Sequence, residues 1–405
     1  MNDFPRRLYF LSIAALLAVT VTASDVVLAQ PVLSIACTPD FSRQDSLDLP
    51  AGSVVRAVDL NGDGRPDLVI SSDVGLQISL NAGGGVFQQP RLVHPEGGLF
   101  VFGDLDRDGK MDLVLLASSG EISVFLGDGS GGFRRSQSFM GPAFFEDGAL
   151  ADVDGDGFLD LIYDADDLDG IWVCLGDRAG GFRPPIVTSP LPSSVSLWPF
   201  QFDGERGTGL LVKHTQFGGS GLFALESNGD GTFSMRNPGF PGGGYHLDFN
   251  LAIADVDRDG DPDVVEVTFG NGSASSLTSY LRRLNGFLAV PSPNGRGASW
   301  SVLVLSDLNA DGRVDLAAAQ SDGSDSFVTV RIGQGDGTFG SELIFPLPTV
   351  ATALAAADLN GDGFVELIAS GMAGMQPLIF HNTCRLHRPV TPGPLLPIKH
   401  RRQAP

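Results

Sequence analysis

Short apolar runs recur along the whole chain, and Gly, Asp, Asn, Ser or Pro cuts each one before it reaches helical length. They come in sets of four. A run of small and apolar residues enters an acidic loop, as in Leu251-Ala252-Ile253-Ala254. A second run leaves it, as in Leu68-Val69-Ile70 and Leu113-Val114-Leu115-Leu116. A third, such as Ile122-Ser123-Val124-Phe125-Leu126, ends in a turn of the type Gly127-Asp128-Gly129. A fourth opens on a phenylalanine: Phe87, Phe133, Phe182, Phe233, Phe287 or Phe339. Apolar runs this short, bounded by turn formers, predict strands. Four of them joined by tight turns predict one antiparallel meander.

The acidic loop fixes the period. Asp59-Leu60-Asn61-Gly62-Asp63-Gly64-Arg65-Pro66-Asp67 returns at 104–112, 152–160, 255–263, 307–315 and 358–366, with spacings of 45, 48, 103, 52 and 51 residues. The spacing of 103 is two periods. Midway lies a degraded copy, Gln201-Phe202-Asp203-Gly204-Glu205-Arg206-Gly207-Thr208-Gly209, followed in register by Leu210-Leu211-Val212. Seven units of four strands with a period near fifty predict an all-β fold, a seven-bladed β-propeller of four-stranded antiparallel blades. The units start near 54, 99, 147, 196, 249, 300 and 352. After the seventh loop only Leu367-Ile368-Ala369 and Leu378-Ile379-Phe380 remain, so an N-terminal strand within 40–49 is expected to complete blade seven and close the ring. Small residues on the first strands (Ala149 and Ala151, Ala252 and Ala254, Ala355 to Ala357) suit strands that converge on an axis. The recurrent Phe is expected to be buried against a neighbouring blade.

Composition sharpens this picture. The 53 Gly and 26 Pro of 405 residues argue against long helices. A net charge of −22 excludes nucleic acid as a partner and favours cations or basic partners. That charge is local. Nearly half of the 48 carboxylates sit in the six intact loops, and the remainder are matched by the 26 basic residues.

The ends read differently from the middle. Arg6 and Arg7, an apolar run from Leu8 to Val21 and small residues before Ala29 predict an export signal over 1–29, cleaved to leave Gln30 first. No other stretch approaches membrane-spanning length. Residues 30–384 form the expected propeller, and the proline-rich, basic segment 385–405 predicts a disordered tail. Cys37 precedes the closing strand and Cys384 follows the last one, so in an exported protein a disulfide between them would clasp the ring. Cys174, mid-strand, is expected to be a buried free thiol. These features predict a secreted monomer, extracellular or at the cell surface, with the periplasm as the alternative compartment.

The loops carry the chemistry. Acid or Asn at positions one, three and five, Gly at six, an acid at nine and the backbone carbonyl at seven put several oxygens around one point. An all-oxygen, strongly negative shell suits a large, flexible, hard cation, Ca2+. The expected ligands are Asp59, Asn61, Asp63, Arg65 and Asp67 in the first loop, and Asp104, Asp106, Asp108, Lys110 and Asp112 in the second. The third uses Asp152, Asp154, Asp156, Phe158 and Asp160, and the next intact one Asp255, Asp257, Asp259, Asp261 and Asp263. Asp307, Asn309, Asp311, Arg313 and Asp315 follow, then Asp358, Asn360, Asp362, Phe364 and Glu366. Arg65, Lys110, Phe158, Asp261, Arg313 and Phe364 would contribute through their backbone carbonyls. About six calcium sites result. An EF-hand is excluded, because position twelve is Ile70, Leu115, Tyr163, Ala318 or Ala369 in all loops but the one with Glu266, and strands follow the loops. In the degraded unit Arg206 is expected to stand near Asp203 and Glu205, where an ion would otherwise be.

The repeated D-x-[DN]-x-D-G-x-x-[DE] loop, followed by a strand and by turns such as Gly335-Asp336-Gly337-Thr338-Phe339, resembles the FG-GAP and VCBS repeat family. Related repeats build the seven-bladed propeller of integrin alpha chains. The resemblance spans roughly 37–384 and implies that the acids at positions one, three, five and nine bind calcium. The Gly-Ala-Pro tripeptide after the second strand is absent here, where the chain reads Ser71-Ser72-Asp73 or Ala117-Ser118-Ser119. The leading functional expectation is a secreted, calcium-stabilised binding or adhesion scaffold for an unidentified protein or polysaccharide. The alternative is a secreted carbohydrate-active enzyme, a lyase or hydrolase. The sequence carries neither G-x-S-x-G nor H-E-x-x-H, and no residue is assigned a catalytic role. Trp198, Phe217 and the glycine-rich stretch Phe240 to His246 are the candidate ligand-contacting aromatics, with a core position for Trp198 as the competing expectation.

Overall fold

Each four-run unit of the sequence folds into one antiparallel sheet whose strands lie in chain order. The computed structural model describes residues 37–386 apart from 51–52, 143–144, 166–169, 189–194, 203, 205, 217–218, 237–239, 241–248, 271–272, 285, 294, 296–299 and 372–374. The first strands are Val54–Val58, Gly98–Gly103, Phe145–Ala151, Val195–Phe200, Phe249–Ala254, Trp300–Ser306 and Ala353–Ala357. First strands of neighbouring blades lie against one another at five of the seven joints, and at the joint of blades one and two the second strand of blade one meets the first of blade two. Seven four-stranded sheets so arranged make a seven-bladed β-propeller. The export signal and most of the tail fall outside the described residues.

The core is a ring of seven separate apolar clusters, each shared by two adjacent blades. Blades one and two share Leu76, Ile78, Phe100 and Leu115, and the last and first share Val55, Ile70, Ile368 and Ile379. Six of the clusters contain one recurrent phenylalanine, with Phe182, Phe233 and Phe339 buried and Phe87, Phe133 and Phe287 half-buried. In every case that ring belongs to the later blade of the pair. The seventh position is filled by Phe41, which is fully buried between blades six and seven. The N-terminal segment therefore supplies the missing member of this series as well as a strand.

That strand is Arg43–Ser46, paired antiparallel with Leu378–His381 as the outermost strand of blade seven. Cys37 and Cys384 are joined in a disulfide with Cα atoms 5.7 Å apart. One feature departs from expectation. The disordered tail was expected from residue 385, yet Arg385–Leu386 pairs with Cys37–Thr38 in a two-stranded sheet around the disulfide. The reason is proximity: once the bond holds Cys37 beside Cys384, the flanking backbones can satisfy each other's polar groups. Cys174 is a buried free thiol, as expected, and burial pushes its pKa up to about 12.

Candidate functional site

The six acidic loops all join the first and second strands of their blades, so they lie on one face of the propeller. Two residues in each loop adopt left-handed backbone. Position six is always Gly, with φ between +77° and +93° at Gly64, Gly109, Gly157, Gly260, Gly312 and Gly363. Position four is Gly62, Gly155 or Gly361 in three loops but Arg107, Arg258 or Ala310 in the others, at φ of 63°, 66° and 57°. An L-residue tolerates that region at a modest cost, which is consistent with variation at position four and constancy at position six.

Within each loop the acids organise the backbone. Both oxygens of Asp59 accept loop amides, Oδ1 from Gly62 and Oδ2 from Gly64, each at 2.8 Å. Asn61 Oδ1 accepts the Asp63 N–H, and Asp63 Oδ1 the Arg65 N–H. The other intact loops repeat the pattern, as at Asp104, Asp106 and Asp108. An ionised carboxylate has about four lone-pair sites, so these bonds leave capacity for a cation. In three loops the acids converge: ligand atoms of Asp104, Asp106 and Asp108, of Asp152, Asp154 and Asp160, and of Asp255, Asp257 and Asp259 lie within 4.8 Å of one another. The loops beginning at Asp59, Asp307 and Asp358 place Asn61, Asn309 and Asn360 at position three, so an amide oxygen takes the place of one charge there.

The ninth acid does something that sequence reasoning missed. It is buried in all six loops, at Asp67, Asp112, Asp160, Asp263, Asp315 and Glu366. In the five aspartates one oxygen accepts the N–H of loop position two, for example Leu308 to Asp315 at 2.9 Å. The other oxygen accepts an N–H at the end of the third strand: Asn81, Gly127, Gly176, Arg282 or Gly333, at 2.7 or 2.8 Å. Glu366, one methylene longer, accepts the Leu359 N–H and a backbone N–H from Asn382, and takes the Asn360 side-chain amide in addition. The ninth acid thus latches the loop to its own sheet. Burial raises its pKa, to about 6 at Asp112 and Asp263 and about 7 at Asp160, Asp315 and Glu366, while the backbone N–H donors oppose the rise. A positive ion beside it would favour the charged form.

Five intact loops also hold a basic side chain on the fifth acid. Arg65 pairs with Asp63 and Arg313 with Asp311, both from position seven. Lys110 meets Asp108 at 2.6 Å from the same position. Arg178, in the turn after the third strand, reaches Asp156 at 3.0 Å, and Arg283, at the end of the third strand, reaches Asp259 at 2.9 Å. Position seven was expected to contribute only its carbonyl, so these side chains add a second role. Among the described residues the loop of Asp358 has no such cation: Phe364 occupies its position seven, and no basic side chain reaches Asp362 from the third strand or the turn after it.

The degraded loop of blade four has a different job. Thr208 N–H donates to the Asp152 carbonyl at 2.7 Å, and the backbone of Arg206 lies against Gly155, so this loop packs on the acidic loop of blade three. Asp203 and Glu205, expected beside Arg206, lie outside the described residues. So do Phe217 and 241–246 among the candidate aromatics. Trp198 is 1% exposed and packs in the cluster between blades four and five, which removes it from any ligand surface. Phe240 stacks on Phe287 with ring centroids 4.3 Å apart. No helix among the described residues is long and apolar enough to cross a membrane.

The FG-GAP-like repeat family matches the chain three times, over residues 59–115, 104–163 and 307–369, each match running from one acidic loop through the next and into the strand that follows it. This is an FG-GAP-repeat propeller. Among solved structures the FG-GAP propeller is similar to an Agrocybe aegerita lectin that recognises non-reducing terminal N-acetylglucosamine. The TM-score is 0.54 at 20% identity, covering 74% of this chain and 81% of the lectin. It is also similar to BBS1N in complex with ARL6DN, with a TM-score of 0.51 at 14% identity over 87% of this chain and 98% of that one. At such identities the likeness is one of fold. No curated protein sequence matches the chain.

Proposed function

We propose that this FG-GAP propeller is a secreted, calcium-stabilised binding scaffold that presents its loop faces to a glycan or protein ligand. The observation that carries the reading is the convergence of acidic oxygens in loops set at the same place in successive blades. Their donor set, carboxylate and amide oxygens with a backbone carbonyl in reach, fits Ca2+. Asp, Asn and carbonyl groups of positions one, three, five and seven would hold the ion. It would neutralise the loop carboxylates and so rigidify one face of the ring. The ninth acid would set the position of the others through its two backbone bonds. A fold with a glycan-binding lectin and a protein-bound propeller among its structural neighbours suits a scaffold role. Fold alone does not fix function, and the reading rests on the loops.

At about 1 mM calcium and a dissociation constant of ~0.1 mM, each occupied loop adds roughly 1.4 kcal/mol by mass action. Six such loops add about 8 kcal/mol, comparable to the net stability of a whole domain. Chelation is therefore expected to lower the melting temperature by about ten degrees, with full recovery on adding calcium. An unchanged melt would overturn calcium stabilisation. The ligand arm is tested by passing calcium-loaded protein over a polysaccharide panel while monitoring new chain ends. Retention without cleavage supports a scaffold, and cleavage would replace it with the enzyme reading.

A further inference from the structure

Three of the joints between blades share a small device, and the joint of blades one and two is among those without it. At three joints the amide of the recurrent phenylalanine points across to the preceding blade and is capped there by a side-chain oxygen. Gln137 Oε1 accepts from Phe182, Thr188 Oγ1 from Phe233 and Ser292 Oγ from Phe339, at 2.8 to 3.0 Å. Thr188 stands opposite Ile171 and Ser292 opposite Leu277 in their sheets, and the matching place in blade one, opposite Leu76, is His94. His94 is engaged otherwise: its Nδ1 accepts the Glu96 N–H at 3.2 Å and its ring meets Phe125 of blade two edge-on, with centroids 6.1 Å apart. No side chain of blade one caps Phe133 N–H among the described residues.

A cleft of about 340 Å³ opens at that joint, lined by Arg91, Leu92, Val93, Asp128, Phe133 and Arg134. Its polar groups are unevenly used. Arg134 is exposed and has no ion pair among the described residues, while the adjacent Arg135 is paired with Glu121 at 3.0 Å. Arg91 donates to the Gly131 carbonyl and lies in the field of the Asp128 carboxylate across the cleft. Asp128 takes the Ser130 N–H, the Ser130 hydroxyl and the Gly132 N–H on Oδ1, which leaves Oδ2 without a hydrogen bond. Leu92, 54% exposed, adds an apolar wall.

We propose that this cleft binds a uronate residue of an acidic polysaccharide. Two guanidinium groups and a free amide suit a carboxylate, the free Asp128 oxygen suits a sugar hydroxyl, and Leu92 with Val93 offers a face to the ring. A peptide carboxylate would satisfy the arginines but would not bring a ring hydroxyl to Asp128. The volume fits a ligand of one to two sugar rings. The proposal rests on the glycan arm of the scaffold reading and places that arm at one joint.

The test is retention of the calcium-loaded full chain on polygalacturonate, alginate, hyaluronate and glucuronoxylan, each beside its carboxyl-reduced form. Two variants accompany it. Arg134→Glu reverses the unpaired charge in the cleft, and Arg43→Glu makes the same change of charge on the outer strand of blade seven. The expected result is binding to at least one uronate polymer that falls tenfold or more on carboxyl reduction and on Arg134→Glu, but not on Arg43→Glu. Equal binding to the reduced forms, or binding that survives Arg134→Glu, overturns the cleft and leaves a glycan scaffold standing. A loss common to both variants reduces the effect to overall charge and also overturns it. No retention on any polymer in either form overturns the glycan arm together with the cleft.

Discussion

Removing the clasp between the chain ends tests how the propeller is closed. The Cys37–Cys384 bond joins residues 347 positions apart. In the chain-entropy treatment of a cross-link, a loop of that length takes about 20 cal/mol/K from the unfolded ensemble, or about 6 kcal/mol at 25 °C. Residual structure in the unfolded chain reduces the figure, so the double variant Cys37→Ser/Cys384→Ser is expected to lose about 2–6 kcal/mol. For some 350 ordered residues that corresponds to a fall in melting temperature of about 3–8 °C. Urea unfolding supplies a second readout, because a released unfolded chain exposes more surface and the denaturant slope should rise. Thiol titration of the unfolded, unreduced wild type should find one thiol, that of Cys174. Three thiols would refute the bond itself. One thiol together with superimposable melts of wild type and variant would refute the reasoning, since the strand Arg43–Ser46 and Phe41 would then close the ring without help from the covalent link.

Three further outcomes follow from the loops and the core. Asp315→Ala removes the acceptor for two buried amides, Leu308 and Gly333, and should cost about 2–4 kcal/mol in urea unfolding. The loss should persist in chelator, and its disappearance there would make Asp315 a metal ligand only. Asp147, buried and accepting the Leu197 N–H at 2.8 Å, has its pKa pushed up to about 8 by burial. The folded state therefore holds this proton more tightly than the unfolded state. Its contribution to stability is present in acid and lost as pH rises from about 4 to about 8. Asp147→Asn should lose less stability than wild type between pH 5 and pH 8, and parallel pH profiles would refute this. Arg283→Met removes the cation on Asp257 and Asp259, so less calcium should be needed to restore the melting temperature of chelated protein. A rise in the calcium required would show the guanidinium to be a support of the site rather than a competitor.

Much of this molecule is legible in the chain because it is built from local rules repeated seven times. Turn residues at fixed offsets set the strand boundaries, and a period near fifty sets the number of blades. The recurrent phenylalanine marks one ring packed into each joint, and the lone degraded loop is visible as a copy that has lost its first and ninth acids. Even the closure could be inferred, from a seventh unit one strand short and a cysteine at each end.

The tertiary structure decided what those repeated residues touch. From sequence the ninth acid is one more loop carboxylate. In the fold it is a buried latch, because the third strand of its own blade brings an amide to its second oxygen. Arg178 and Arg283 stand more than twenty residues along the chain from the carboxylates they pair with, a spacing the loop motif does not contain. His94, Thr188 and Ser292 occupy one structural position through sheet register, yet no motif aligns them. Periodicity determines which residues form strands, since that depends on neighbours in sequence. Hydrogen-bond partners across blades depend on register and on packing between units, and those exist only once the ring has closed.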